Sequence, residues 1–286
     1  MKQIADTHKI KCHNTILNLD KPAVMGILNV TSDSFYANSR TANVDAAMER
    51  VEQMLAQGAD IIDVGAYSTR SGAAEVTNSE EWARLEPVLT AIRKKYPDAI
   101  LSLDTFRSQI ATDAVNNFKV DIINDVSGGQ LDNEMFAAVG KLDVPYVLMH
   151  MRGTPQTMQN SEQTTYSDFM GNVLNYFEEK IAQLQQYGVN QILIDPGFGF
   201  AKTLEQNYEL FGKMEQLHRF GFPLFVGISR KSMIYKLLNT SPDASLNGTT
   251  VLNTIALAKG AKILRVHDVA EACEAVAIWQ KMQSCV

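Results

Sequence analysis

From Val24 onward the chain alternates two kinds of stretch: short runs dense in Val, Ile and Leu, and longer runs whose apolar residues return every three or four positions. The first kind reads as strands buried on both faces, the second as amphipathic helices. Eight strands are predicted, at 24–30, 60–64, 100–103, 121–123, 146–149, 192–194, 224–228 and 263–266. Between them the helical spacing of Val44, Met48, Val51 and Leu55 ends at Gly58. Further helices are expected at 80–96, 107–118, 134–142, 169–187, 204–220, 231–238, 246–259 and 269–282. The stretch before Leu19 is expected to form a small hairpin.

Strict strand–helix alternation means parallel strands covered by helices. Eight units within 286 residues favour a single (β/α)8 barrel over a doubly wound sheet. No Pro-, Ser- or Gly-rich linker and no charge run interrupts the alternation, so residues 1–286 are expected to form one domain.

Composition adds mainly exclusions. No apolar run approaches the roughly 18 residues of a membrane span, and Met1 to Asp6 lack the apolar core of a signal peptide, so a cytoplasmic location is expected. Cys12, Cys273 and Cys285 include no C-x-x-C pair, which supports neither a disulfide framework nor a zinc site. A net charge of −6 argues against a broad nucleic-acid surface, while a local basic pocket for a small anion stays open.

In such a barrel the carboxyl ends of all strands meet on one face. The residues there are Asn29, Asp63, Asp104, Asn124, Asp125, His150, Asp195, the run Ser229-Arg230-Lys231-Ser232, and Arg265 with His267. Asp and Asn together can read the donor and acceptor edge of a heterocycle. Arg, Lys and His beside a helix start suit phosphate or carboxylate groups. Gly197 and Gly199 would let backbone approach a ligand, with Phe198 and Phe200 offering ring faces. Each residue has a plainer explanation too. Asp63 and Asp125 precede turns and are expected to cap them, and His150 reads as a satisfied rim histidine. Arg265 and His267 lie two apart on a strand and would point the same way. Thr69 and Arg70 lie in a long loop of the kind that covers substrates.

Seven segments stand out together: Val24-Met25-Gly26-Ile27-Leu28-Asn29-Val30-Thr31-Ser32-Asp33-Ser34-Phe35, Ser68-Thr69-Arg70, Ser102-Leu103-Asp104-Thr105, Ile123-Asn124-Asp125-Val126, Asp195 to Phe200, Ser229 to Ser232 and Arg265 to Val269. Taken together they resemble dihydropteroate synthases. The resemblance spans the chain in the family's order. It implies a pterin-binding TIM barrel that joins 6-hydroxymethyl-7,8-dihydropterin diphosphate to 4-aminobenzoate, releasing diphosphate, by dissociative loss of that group.

By the same resemblance, Asp104, Asn124, Asp195, Lys231 and Arg265 would bind the pterin, and Asn29, Arg70, Arg265 and His267 the diphosphate. Thr69, Phe200 and Ser232 would line the aminobenzoate pocket. Asn29 would also be the protein ligand of a Mg2+ ion. Asp104, Lys231, Arg265, His267 and Arg70 would carry the chemistry, in a homodimer that binds no nucleic acid or membrane. The chain departs from the family where Ser32 and Ser71 stand at usual proline positions and where Ala37-Asn38-Ser39-Arg40 replaces glycines. Two alternatives accompany the synthase. One is a pterin-dependent methyltransferase, which has no use for the diphosphate residues; the other is a catalytically silent pterin-binding paralogue.

Overall fold

The computed structural model describes residues 8–30, 40–67 and 76–285. Thr69, Arg70, Ser32 and Ser71 therefore lie outside the described residues. The chain opens with an antiparallel pair, β1 (Lys9–Lys11) and β2 (Ile16–Asn18). Alternation then follows as β3 (Ala23–Asn29), α1 (Arg40–Ala56), β4 (Ile61–Gly65), α2 (Asn78–Lys95), β5 (Ile100–Asp104), α3 (Ser108–Phe118), β6 (Ile122–Asp125) and α4 (Met135–Leu142). After β7 (Tyr146–Met149) come the single turn α5 (Ser161–Thr164), α6 (Phe169–Gln186), β8 (Ile192–Asp195), α7 (Leu204–Lys213) and β9 (Leu224–Val226). The chain closes with α8 (Ser232–Leu237), α9 (Leu246–Ala258), β10 (Ala261–Val266) and α10 (Val269–Gln283).

Strands β3 to β10 pair in parallel, β10 closing on β3, to form an eight-stranded barrel. The expected (β/α)8 architecture and the N-terminal hairpin are both present. Local chemistry explains where helices begin. Thr77 and Glu80 form a reciprocal capping box at the start of α2, Thr203 and Gln206 do the same for α7, and the Asp168 carboxylate accepts from the Gly171 amide at α6. The helix expected at 204–220 changes at Met214 into a 3-10 turn running to Phe220, where the fully buried Met214 and Leu217 lie three apart on one face. The seventh barrel strand stops at Val226, two residues earlier than expected.

Period two along the strands divides the barrel interior into floors. The lower floor is Met25, Ile61, Ile100, Ile122, Val147, Leu193, Phe225 and Ile263, and Ile10, Cys12 and Leu19 from the hairpin pack beneath it. Two residues further along the same strands stand Ile27, Asp63, Ser102, Asn124, Met149, Asp195, Gly227 and Arg265. The interior thus turns from apolar to polar within one step, about 6–7 Å of strand. Outside the strands, a second apolar layer joins them to the helices.

Candidate active site at the carboxyl rim

Five of the expected ligand-binding residues converge in the upper floor and rim. Arg265, from β10, donates through Nε to Asp63 Oδ2 at 2.6 Å and through Nη2 to Asp104 Oδ2 at 2.6 Å. Asn124, from β6, donates its amide to the same Asp63 oxygen at 3.1 Å. Asp195, at the end of β8, accepts from the Gly197 amide at 2.8 Å. Lys231 crosses from the start of α8, its Nζ donating to the Phe198 carbonyl at 2.5 Å and lying 4.6 Å from the centroid of the Phe200 ring.

Burial sets the electrostatics of these groups. Asp104 is pushed up to about 7, chiefly by desolvation; the neighbouring Asp63 charge adds to the rise and Arg265 opposes it. Lys231 is lowered to about 8 by desolvation, against the attraction of Asp195. Asp195 is itself raised by burial, although Lys231 pulls the other way. Arg265 keeps its proton because two carboxylates outweigh its burial. The rim therefore presents one carboxyl group, Asp104, and one ammonium, Lys231, whose proton equilibria lie near neutrality, as is common where a site handles charge.

The remaining expectations sort unevenly. Asn29 ends β3 exposed on the rim, in register with Gly65 of β4, which pairs in turn with Asp104 of β5, two strands from Asn29. The His267 ring lies 3.0 Å from Ser229 Oγ, which also accepts the His267 backbone N–H at 3.2 Å. Ser232 is half-buried as the first residue of α8. Asp125 is the expected turn residue, accepting from the Ser127 and Gly129 amides and from the Tyr146 hydroxyl. His150 is buried and bonded, as expected.

Three expectations need correction. Asp63 caps no turn: it stands inside a strand buried along its length and faces Arg265 and Asn124 across the barrel. Phe198 offers no ring to a ligand, because it is fully buried against Phe211 at a centroid distance of 5.6 Å. Arg230 leaves the cationic side of the rim; its guanidinium makes a two-pronged bond to Asp268 at 2.9 and 2.7 Å.

The glycine-rich turn after β8 has one anchor that the sequence did not single out. Lys202 is buried, and its Nζ bonds the carbonyls of Gly197 at 2.8 Å, Phe200 at 2.9 Å and His150 at 3.2 Å, with His150 Nδ1 at 3.0 Å. Gly197 has φ +70°, and a Cβ there would fall 2.1 Å from the His150 carbonyl oxygen, so the turn admits no larger residue.

The chain matches the family model described as "Pterin binding enzyme" over residues 25–267. It is 42% identical over 272 residues to the dihydropteroate synthase of Escherichia coli K12, covering 94% of this chain and 95% of that one. This chain belongs to the dihydropteroate synthase family. Solved structures of the family agree. The Yersinia pestis dihydropteroate synthase in a sulfonamide drug complex superposes with TM-score 0.89 at 40% identity, covering 96% of this chain and 99% of that chain. The Xanthomonas albilineans dihydropteroate synthase with 4-aminobenzoic acid gives TM-score 0.89 at 35% identity, over 97% and 99% of the two chains. Members of this family are transferases of folate synthesis.

Proposed function

We propose that this chain, acting as one barrel domain, condenses 6-hydroxymethyl-7,8-dihydropterin diphosphate with 4-aminobenzoate to give 7,8-dihydropteroate and diphosphate. The observation that carries the reading is the meeting of Asp104, Asn124, Asp195, Lys231 and Arg265 at one barrel rim in a chain 42% identical to a named synthase. An aminopyrimidinone ring offers N–H donors that suit Asp195 and Asp104 and acceptors that suit Lys231. Asn124 completes the polar edge.

The diphosphate falls to the cationic side, with Arg265, His267 and Asn29, and with Arg70 from outside the described residues. Stabilising charge on the departing diphosphate lets the C–O bond ionise before the weakly nucleophilic aniline nitrogen attacks. Negative charge on Asp104 compensates the pterin cation that results. Phe200, half-buried below Lys231, would form a wall of the aminobenzoate pocket with Thr69 and Ser232. Sulfonamides would compete there.

Mg2+ fits this site in a restricted sense. No cluster of three or more His, Cys, Asp or Glu suited to a metal occurs among the described residues. The exposed Asn29 on the rim offers one hard amide oxygen, and Mg2+ commonly takes few protein ligands, with phosphate oxygens and water completing its shell. Bound there, it would neutralise diphosphate charge.

The proposal extends to a cytoplasmic homodimer. Exposed apolar side chains on neighbouring α8, α9 and α10, among them Leu237, Val251, Ile255 and Ile278, support a subunit contact on that side. No helix among the described residues is long and apolar enough to cross a membrane. The deciding assay is diphosphate release from the pterin substrate with and without 4-aminobenzoate. Release that requires the amine, together with formation of dihydropteroate, supports the synthase; no dihydropteroate from either mixture rejects it.

A further inference from the structure

Asp63 is the least explained carboxylate in the barrel. It is fully buried in β4, one floor above Ile61, where ionised groups are costly unless paired. One of its oxygens serves two residues of the pterin site at once, taking Arg265 Nε at 2.6 Å and Asn124 Nδ2 at 3.1 Å. Its other oxygen, Oδ1, is buried without a hydrogen-bond partner. A carboxylate kept only for stability would be expected to satisfy both oxygens.

Two geometric consequences follow. Because Asp63 Oδ2 can only accept from Asn124, it commits Nδ2 inward and leaves Oδ1 as the amide's acceptor for a ligand. Because Arg265 divides its guanidinium between Asp63 and Asp104, neither carboxylate receives its whole charge. We propose that Asp63 is a positioning residue for pterin recognition, fixing which end of the Asn124 amide faces the ligand and how Arg265 is shared with Asp104. The proposal rests on the synthase reading for its role in turnover, and on pterin binding alone for its role in recognition.

Charge on Asp63 also bears on the proton of Asp104. The charged groups facing Asp104 are Asp63 from β4, Glu81 from α2, Asp125 from β6, Lys231 from the start of α8 and Arg265 from β10. Removing the Asp63 charge takes away a neighbour that raises Asp104, and frees Arg265, which lowers it. Both changes act in one direction, so Asp104 should ionise at lower pH.

The test is Asp63→Asn, which keeps shape and removes charge. Calorimetric titration with oxidised 6-hydroxymethylpterin diphosphate, an inert pterin, is run from pH 5 to 9 on the variant and the wild type. Affinity at pH 8 is expected to fall roughly ten- to hundredfold, the range for loss of a charged hydrogen bond. The acidic limb of the binding profile is expected to move down by about one unit, a shift of the size one neighbouring charge produces. Ligand ionisation is common to both proteins and cancels. Unchanged affinity, or weaker affinity with an unmoved limb, overturns the proposal, since a merely structural residue would not move the limb.

Should the variant fail to fold, the wild type carries the test through the Nε–H signal of Arg265 in a 15N–1H spectrum, assigned by its loss in Arg265→Lys. Slow exchange with solvent from pH 5 to 9 is expected of a group held by buried Asp63; fast exchange in the free enzyme rejects the positioning role. Turnover is assayed beside these. Wild-type protein that binds pterin but forms no dihydropteroate defeats the synthase reading and leaves the Asp63 result standing.

Discussion

Lys202 Nζ lies 3.0 Å from His150 Nδ1, and both side chains are buried behind the turn that carries Asp195 into the site. Burial lowers the proton affinity of each well below its ordinary value, and each cation would further disfavour the other. What holds this arrangement is the set of three carbonyls around the amine, from His150, Gly197 and Phe200. Lys202→Met should take this donor from the His150 and Phe200 carbonyls, leave the Gly197 carbonyl with only the Phe200 amide, and lower stability by about 2–4 kcal/mol. Urea unfolding reads the change; an unaltered midpoint would mean that the turn holds without the amine.

Activity should be bell-shaped in pH, with its maximum between about 7 and 8. Asp104 must lose its proton to accept from the pterin, so kcat/KM for pterin diphosphate rises through about 7. Lys231 must keep its proton to donate, so the same constant falls above about 8. These limbs belong to the coupled site and not to isolated residues. Lys231→Arg should retain charge and remove the alkaline limb. A profile flat from pH 6 to 9 in the wild type would contradict both assignments.

Asp195→Ala should abolish most pterin affinity with the fold intact. The carboxylate sits at a strand end, and its one hydrogen bond is to the Gly197 amide two residues on. Losing a charge-assisted bond to the ligand costs about 1.5–3 kcal/mol, a ten- to hundredfold weaker Kd. Calorimetry with a pterin analogue checks this, and undiminished affinity would remove Asp195 from the site.

Arg265→Ala and His267→Ala should both weaken pterin diphosphate binding but differ in stability. Arg265 is the guanidinium that joins Asp63 to Asp104, and removing one member of a buried ionic network typically costs about 3–5 kcal/mol. The sign with pH follows from Asp104. Its folded-state proton affinity is raised, so the folded protein binds that proton more tightly than the unfolded chain does. Its contribution to stability is then lost as pH rises from about 4 through about 7. Without Arg265 this affinity rises further. Thermal unfolding of Arg265→Ala should therefore worsen from pH 5 to pH 8 more steeply than that of the wild type, while His267→Ala stays close to the wild type at both. Equal pH dependence in the three proteins would count against the network.

The barrel was legible because a parallel strand buried on both faces leaves a continuous apolar run, and amphipathic helices leave a different period between such runs. Asp104, Asn124, Asp195 and Arg265 were legible for a related reason, since each lies at or next to the end of a run whose direction is known. Asp63 was misread as a cap because its partners lie on β6 and β10, 61 and 202 residues away along the chain. Parity with Ile61, already assigned to a strand, was the signal that placed it inside. Phe198 and Phe200 are alike in sequence, and only the left-handed turns at Gly197 and Gly199 decide that the first enters the core. For Lys202 there was no signal: a lone lysine before a helix start ordinarily lies in solvent.

The two floors of the barrel interior bind fold and chemistry to one parity. A single residue inserted or deleted within a strand would reverse the facing of everything beyond it. Side chains now stacked as Ile61 and Asp63 would turn toward the helices, and Ile62 and Val64 would turn inward. No such change can spoil the site and spare the core. Length variation that the molecule survives is therefore expected in the connections after the strands, and descent with altered specificity should proceed by rewriting those connections around strands of unchanging length.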